Sequence, residues 1–341
     1  MTSTGTHMTA LRPPWLPDGY RCRAAALADV AAIHQLVAAY ERELYGRPRT
    51  GPGRLAAELS LPGLCPESDT LLVHDGAGGP AGFCWVKGRR ARVHVHPGHQ
   101  GRGLGSGLLG WTEDRARSAG GDRLAQTVSD TDHAATALLR AGGYARLVTE
   151  WLLEIALPHE PYVPEAPAGI SVRPFRHGDE QAAYRLTEDA FDEWQPRRKT
   201  YAEWARRTVE RPTFLPAASP VAFAGDEMVG AVLSLDVQGH DGGHEGDRDG
   251  DAEGGAGGYG EGYMEGYMEG YVERVAVRRD HRGRGIARTL LWQAFRTFHR
   301  RGRSACTLWT HSGTGAFALY EHLGMTVRRS STVYCKALVA G

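Results

Sequence analysis

Lysine is almost absent from this chain: Lys87, Lys199 and Lys336 stand against 37 arginines in 341 residues. Basic and acidic side chains balance at 40 each, so the chain as a whole has no field that would gather nucleic acid or an anionic membrane surface. No run approaches the roughly 20 uninterrupted apolar residues of a membrane span. Met1 to Tyr20 is polar and broken by proline, without the apolar stretch of a secretory signal. The five cysteines (22, 65, 84, 306 and 335) are odd in number, scattered, and form no CxxC pair. That argues against a disulfide framework or a zinc site and for reduced core thiols in a cytoplasmic protein. The arginine bias, with 45 glycines, reads as a high-GC coding sequence rather than as a function. With 41% hydrophobic residues the chain can build ordinary cores, and its length suits two domains.

The charge balance is not local. Residues 239–270 carry nine acidic side chains and one arginine, and 13 of these 32 residues are glycine. Such a composition cannot bury enough apolar surface to offset its ordering entropy. It interrupts what should be a hairpin, which tolerates the insertion because closure cost grows only logarithmically with loop length. Asp247-Arg-Asp-Gly-Asp251 has a faint EF-hand character, but its glycine falls two positions early and Gly258 stands where a bidentate glutamate is required. A solvated low-complexity loop is the expectation.

An internal repeat organises the rest. Val93-His-Val-His-Pro-Gly-His-Gln-Gly-Arg-Gly-Leu-Gly105 and Val275-Ala-Val-Arg-Arg-Asp-His-Arg-Gly-Arg-Gly-Ile-Ala287 each run from a short strand through a polar turn into the Gly-rich opening of a helix. The register persists: Gln100 to Gly143 is 43 residues, and Arg282 to Gly324 is 42. This is a tandem duplication, with halves at 20–157 and 169–338 joined by a stiff connector holding Pro158, Pro161, Pro164 and Pro167. In the first half, strands are expected at 20–24, 70–74 and 82–86 and a helix at 27–40. In the second, strands are expected at 170–175, 220–223, 228–235, 271–277, 306–310 and 332–338, with helices at 180–191 and from Ala287. Each half is thus a mixed α/β unit, a mostly antiparallel sheet flanked by helices.

A strand that feeds a Gly-rich turn and a helix aims several backbone N–H groups from a positive dipole end, which suits phosphate or pyrophosphate. A Walker loop would end in Gly-Lys-Ser/Thr, and neither copy has lysine there. The dinucleotide fingerprint GxGxxG can be half-forced onto Gly101–Ser106 and fails in the second copy. The form common to both is (Gln/Arg)-x-x-Gly-x-(Gly/Ala), from Gln100 to Gly105 and from Arg282 to Ala287.

On these loops, and on Ala316-x-x-Leu-Tyr320-x-x-x-Gly324-Met325, the sequence resembles the GNAT acetyltransferase superfamily over about 138 residues of the first half and 170 of the second. The doubling is similar to that of the mycothiol synthases and other tandem acetyltransferase-like proteins of actinobacteria, a likeness of architecture that leaves the acceptor open. The resemblance implies acetyl-CoA as cosubstrate. It would lie along Val275, Ala276 and Val277, with its pyrophosphate on Arg282, Gly283, Arg284, Gly285, Ile286 and Ala287. The matching positions of the first half are Val93, His94 and Val95, then Gln100, Gly101, Arg102, Gly103, Leu104 and Gly105.

Tyr320 matches the family's general acid; on its own it also reads as an aromatic on an apolar helix face. Glu273 is the candidate general base, although a strand-end glutamate also reads as simply solvated. Strict alternation would put it on one face with Tyr271, Val275 and Val277. Gly313 stands where many members have asparagine. In the first half Leu139 takes the place of Tyr320, and His94 and His96 are expected on an exposed face without metal, so that half is expected to be catalytically silent. The resemblance further implies a primary amine acceptor, small molecule or peptide, entering near Glu188, Asp189, Asp192, Glu193, Trp194, Trp204 and Phe214, with the 239–270 loop as its lid; these residues read equally well as an acidic, solvated helix end with core aromatics. The competing reading is a non-catalytic acyl-CoA sensor or scaffold.

Overall fold

A computed structural model describes residues 13–192, 197–237 and 269–338 of the chain. Glu193, Trp194 and, apart from Glu269 and Gly270, the 239–270 insert with its EF-hand-like fragment and expected lid role lie outside the described residues. The chain forms two compact units. One is built from residues up to Leu147 and from Val333 onward, the other from Val148 to Thr332.

The first unit contains β1 (Arg21–Arg23), α1 (Val30–Tyr45), α2 (Pro52–Leu59), α3 (Pro66–Asp69), β2 (Thr70–His74), β3 (Pro80–Lys87), β4 (Arg90–Val95), α4 (Leu104–Ser118), β5 (Arg123–Ser129) and α5 (His133–Ala141). Its strands lie in chain order; the first four pair antiparallel and β4 pairs parallel with β5. Alternation sorts the side chains. Leu72 and Phe83 join Ile33 and Leu36 of α1 on one face, and Val73 and Cys84 join Leu104 and Leu108 of α4 on the other.

The second unit repeats the plan with β6 (Ala145–Ala156), β7 (Ser171–Pro174), α6 (Glu180–Phe191), α7 (Tyr201–Arg207), β8 (Pro220–Ala224), β9 (Glu227–Val237), β10 (Glu269–Val277), α8 (Ile286–Arg300), β11 (Ala305–His311), α9 (Phe317–His322) and β12 (Thr326–Ala337). The sheet order is β6-β11-β10-β9-β8-β7, antiparallel throughout except for the parallel pair β10–β11. The mixed, mostly antiparallel sheet flanked by helices is therefore present in each unit.

The units are cut differently from the sequence halves 20–157 and 169–338. β6 precedes the proline connector, yet it pairs with β11 from Glu150↔His311 to Ala156↔Ala305 and so covers what would be an open edge of the second sheet. The end of β12 makes the reverse move. In the first unit Tyr334 packs with Leu109, Leu139 and Tyr144, Lys336 Nζ donates to Glu113 Oε2 at 2.7 Å, and Leu338 N donates to Asp122 O at 2.7 Å.

The hairpin that carries the insert extends further than 228–235 and 271–277. Its last register pair is Val237↔Glu269. Charge pins both feet: Asp236 pairs with Arg303 and, at 3.3 Å, with Arg301, while Arg328 donates to Glu269 Oε2 at 2.8 Å and to Glu154 Oε2 at 2.9 Å. All five cysteines are unbridged; Cys84 and Cys306 are buried as core thiols, whereas Cys65 is exposed. Among the described residues no helix is long and apolar enough to cross a membrane.

Candidate active site

The two Gly-rich loops adopt one conformation. Gly101 and Gly103 have φ of 71° and 83°, and Gly283 and Gly285 have φ of 72° and 85°. Side-chain-bearing residues are strained in this left-handed region, which is why glycine recurs at the same two positions. Gly103 and Gly285 are the residues before α4 and α8, so the first-turn N–H groups of each helix lack intrahelical acceptors and point into the loop. Arg282 Nε donates back to the carbonyl of Val277 at 3.1 Å, which fixes the strand-to-loop corner. Unsatisfied N–H groups, a helix dipole and no crowding Cβ make a cradle that fits a pyrophosphate.

Beside the second loop the sheet opens. β10 and β11 pair from Glu269↔Ala305 only as far as Val272↔Leu308, although β10 continues to Val277 and β11 to His311. On its other side β10 stays paired with β9, but with a bulge: Val272 faces Ser234 and Arg274 faces Leu233, leaving Glu273 as the extra residue. The bulge overturns the expectation of strict alternation. Tyr271, Arg274 and Ala276 sit across from Leu235, Leu233 and Ala231, on the face packed under α6 and α7. Val272, Val275 and Val277 turn to the α8 side. Glu273, at the turnover point, reaches the α7 side, where Arg211 Nη1 donates to its Oε1 at 3.1 Å.

The Glu273 side chain is about 21% exposed, yet its Oε2 is sealed and has no hydrogen-bond partner among the described residues. Burial pushes this carboxyl above its ordinary range, against the pull of Arg274, Arg211 and Lys199. Tyr320 enters from α9 into the core that holds Ile286 and Leu290 of α8, with Val275 and Val277 packed against it. It is 6% exposed, and burial raises its phenol well above the usual value. Gly313 lies in a 3-10 turn (Ser312–Thr314) closed by left-handed Gly315, so the glycines here serve the turn.

The profile of the Acetyltransferase (GNAT) family matches residues 32–144 and again 181–325. The chain belongs to the GNAT acetyltransferase family. A mycothiol acetyltransferase of Thermobispora bispora is 30% identical over 265 residues, covering 75% of this chain and 79% of that protein. A GCN5-related N-acetyltransferase from Sphaerobacter thermophilus shares the fold with a TM-score of 0.72 and 27% identity, over 95% of this chain and 97% of that one. A tandem GNAT protein from the clavulanic acid biosynthesis pathway has the same fold at 19% identity, with a TM-score of 0.61 over 94% and 98% of the two chains.

Within this N-acetyltransferase the first unit departs from the second at matching positions. Its β4 and β5 also part early, after Ala91↔Gln126, but β4 pairs with β3 without a bulge. Nine residues before the loop, where the second unit has Glu273 ahead of Arg282, it has Ala91 ahead of Gln100. Leu139 fills a core with Leu109, Tyr144 and Tyr334. His94 is not on an exposed face: α1 covers it, its ring meets Tyr40 edge-on at 5.2 Å, and neither ring nitrogen has a hydrogen-bond partner among the described residues. Burial depresses its pKa to about 3, so it is a neutral packing residue. His96 turns back on its own loop, Nδ1 accepting from Gly98 N at 3.1 Å. Among the described residues no three His, Cys, Asp or Glu side chains gather as metal ligands would. A cavity of about 210 Å³ does open between Tyr40, Gln100 and Thr131–Ala134.

Among the described residues, the acidic, aromatic acceptor surface expected from Glu188 to Phe214 does not form. Glu188 is 1% exposed and accepts from the backbone N of Lys199 at 2.8 Å. Asp189 and Asp192 are both matched by Arg198. Trp204 is fully buried, and Phe214 packs edge-on against Phe175 at 5.3 Å. What faces Glu273 is basic instead: Arg211, Arg274 and Lys199. Sequence reading passed over these three, although two successive charges, Glu273 and Arg274, inside an otherwise apolar strand are a usable bulge signal.

Proposed function

We propose that the second unit transfers the acetyl group of acetyl-CoA to a primary amine of a small molecule, and that the first unit is catalytically silent. One contrast within the chain carries this reading. At matching positions the second unit has a bulged Glu273 beside an opened strand pair and Tyr320 behind it, where the first has an unbulged Ala91 and the core residue Leu139. The small-molecule acceptor is supported by the relative named for mycothiol acetylation.

The chemistry follows from these side chains. The pyrophosphate of acetyl-CoA would rest on the N–H groups of Gly283 to Ala287, and its pantetheine would pair along Val275 to Val277 where β11 has left the strand free. The amine attacks the thioester carbonyl carbon, polarised by a strand N–H near Val275. Glu273 takes a proton from nitrogen, and a raised carboxyl pKa makes it a better base near neutrality. The C–S bond breaks and Tyr320 gives its proton to the departing sulfur. A phenol raised above about 10 is a poor acid toward a thiolate near 8.5, but the apolar surroundings that raise the phenol raise the thiolate's proton affinity too.

The test is acetylated-amine formation and CoA release across a panel of primary amines, with calorimetric titration of acetyl-CoA beside it. Tyr320→Phe should lower kcat by about 100-fold or more while acetyl-CoA still binds. Binding without turnover for any amine would replace this reading with that of an acyl-CoA sensor. Unimpaired turnover by Tyr320→Phe would move the chemistry elsewhere.

A further inference from the structure

Resting on the second unit as the catalytic one, the cation next to the base Glu273 in the chain is Arg274. Arg274 sits one residue past the bulge, on the face turned to α6 and α7, with its guanidinium 5.6 Å from the centroid of Phe191. Its Nε is sealed from solvent without a hydrogen-bond partner among the described residues, and its charge acts on the Glu273 carboxyl. Of the carboxylates around it, Glu273 accepts from Arg211 and Glu188 pairs with Lys199, each through one oxygen while the other has no hydrogen-bond partner among the described residues.

The first unit solves the same problem internally. Eight residues before each loop stand Arg92 and Arg274. Arg92 Nη1 donates to Glu58 Oε1 at 2.7 Å, in a helix whose Arg54 also reaches that carboxylate at 3.3 Å. In the second unit the corresponding arginine lies near a second cation: burial and then the charge of Arg274 lower the Lys199 pKa to about 8. Like charges gathered in a half-buried site are unfavourable unless a ligand supplies the anion.

We propose that Arg274, with Lys199 beside it, forms an oxyanion subsite next to Glu273, so that the preferred acceptor amine carries a carboxylate or phosphate a few bonds from its nitrogen. Adjacency in the chain sets the reach: Glu273 takes the amine proton, and the next residue clamps the anion. The same positive field keeps the acceptor nitrogen unprotonated and therefore nucleophilic. An arginine suits the task because its planar donors match an oxyanion in two-point geometry.

Matched amines test it on the full chain: L-serine against ethanolamine for a carboxylate, glucosamine 6-phosphate against glucosamine for a phosphate. Binding of each to the CoA-loaded protein is read by calorimetry, and acetylated product by mass, so the preference is measured with or without turnover. At least one anionic member should bind about tenfold or more tightly than its neutral partner. Arg274→Gln should bring that ratio to near one, and Arg274→Lys should keep part of it. Absence of product with every amine would count against the proposed acetyl transfer but leave the binding ratios to be read. Equal binding of both members of each pair, or a preference untouched by Arg274→Gln, would overturn the subsite.

Discussion

Arg211 and Glu273 meet at 3.1 Å across 62 residues of chain, tying the turn after α7 to the bulge of β10. The contact holds the carboxylate at the one point of the strand where neither face claims the side chain. Arg211 serves Oε1 only: Oε2 stays sealed and without a hydrogen-bond partner among the described residues, and burial pushes the carboxyl pKa upward.

The sign of the resulting pH effect is fixed. The base must be ionised to accept a proton, so kcat/KM falls on the acid side as Glu273 is protonated. Arg211→Gln removes a charge that favours the ionised form, which raises the Glu273 pKa and moves that acid limb to higher pH. Glu273→Gln should abolish the limb along with most of the rate. A pH profile of kcat/KM for the three proteins checks this, and an acid limb that ignores Arg211→Gln would remove Glu273 from the role of base.

The loop glycines make a second prediction. Nothing lies within 4 Å of a Cβ built at Gly283, and only Pro167 Cγ, at 4.0 Å, near one at Gly285. Substitution there is a matter of backbone strain and not of crowding. Gly283→Ala and Gly285→Ala should each cost about 1 kcal/mol of stability. If the loop relaxes to relieve that strain, its N–H groups swing out of the cradle and the KM for acetyl-CoA rises several-fold. Thermal unfolding and acetyl-CoA saturation curves read the two effects separately.

Those loops were the most legible part of the chain, because left-handed glycines are demanded by the local turn and recur with the repeat. Strand identities were legible for the same local reason: 70–74 is as expected, and 180–191 is α6 to the residue. What could not be read was pairing. The bulge at Glu273 exists only as a mismatch between β10 and β9, so alternation along β10 alone gave Tyr271 the wrong face. The exchange of β6 and β12 depends on which edge each strand finds in space. The His94 burial depends on α1 lying over β4, and the acidic character of 188–192 was cancelled by Arg198 and by the burial of Glu188.

Lys199 allows the crowding of cations to be measured without substrate. With three lysines in the chain, amine-reactive labelling followed by peptide mapping can resolve each one. Labelling at Lys199 should titrate with a midpoint of about 8, because burial and the nearby Arg274 charge favour its neutral form. Arg274→Gln should move the midpoint upward, since one opposing charge has gone. A midpoint that does not respond would mean the two side chains do not share a site.

The last prediction concerns the foot of the insert, where sequence composition and structure disagree about one glycine. Gly270 closes the Gly-rich run and reads as part of it, yet it is a core position. A Cβ there would stand 2.4 Å from Cγ of Phe298, and Phe298 is fully buried in the core of the second unit. Gly270→Ala should therefore destabilise the second unit by about 1–3 kcal/mol through overpacking. Gly110 supplies the control: it lies in the exposed middle of α4 with nothing within 4 Å of a Cβ, so Gly110→Ala should stabilise by about 0.5–1 kcal/mol through helix propensity alone. Chemical denaturation of the two variants would separate these signs. A neutral Gly270→Ala would mean that β10 begins after the insert at Tyr271, as composition suggested, and that the Val237↔Glu269 pair does not close the hairpin.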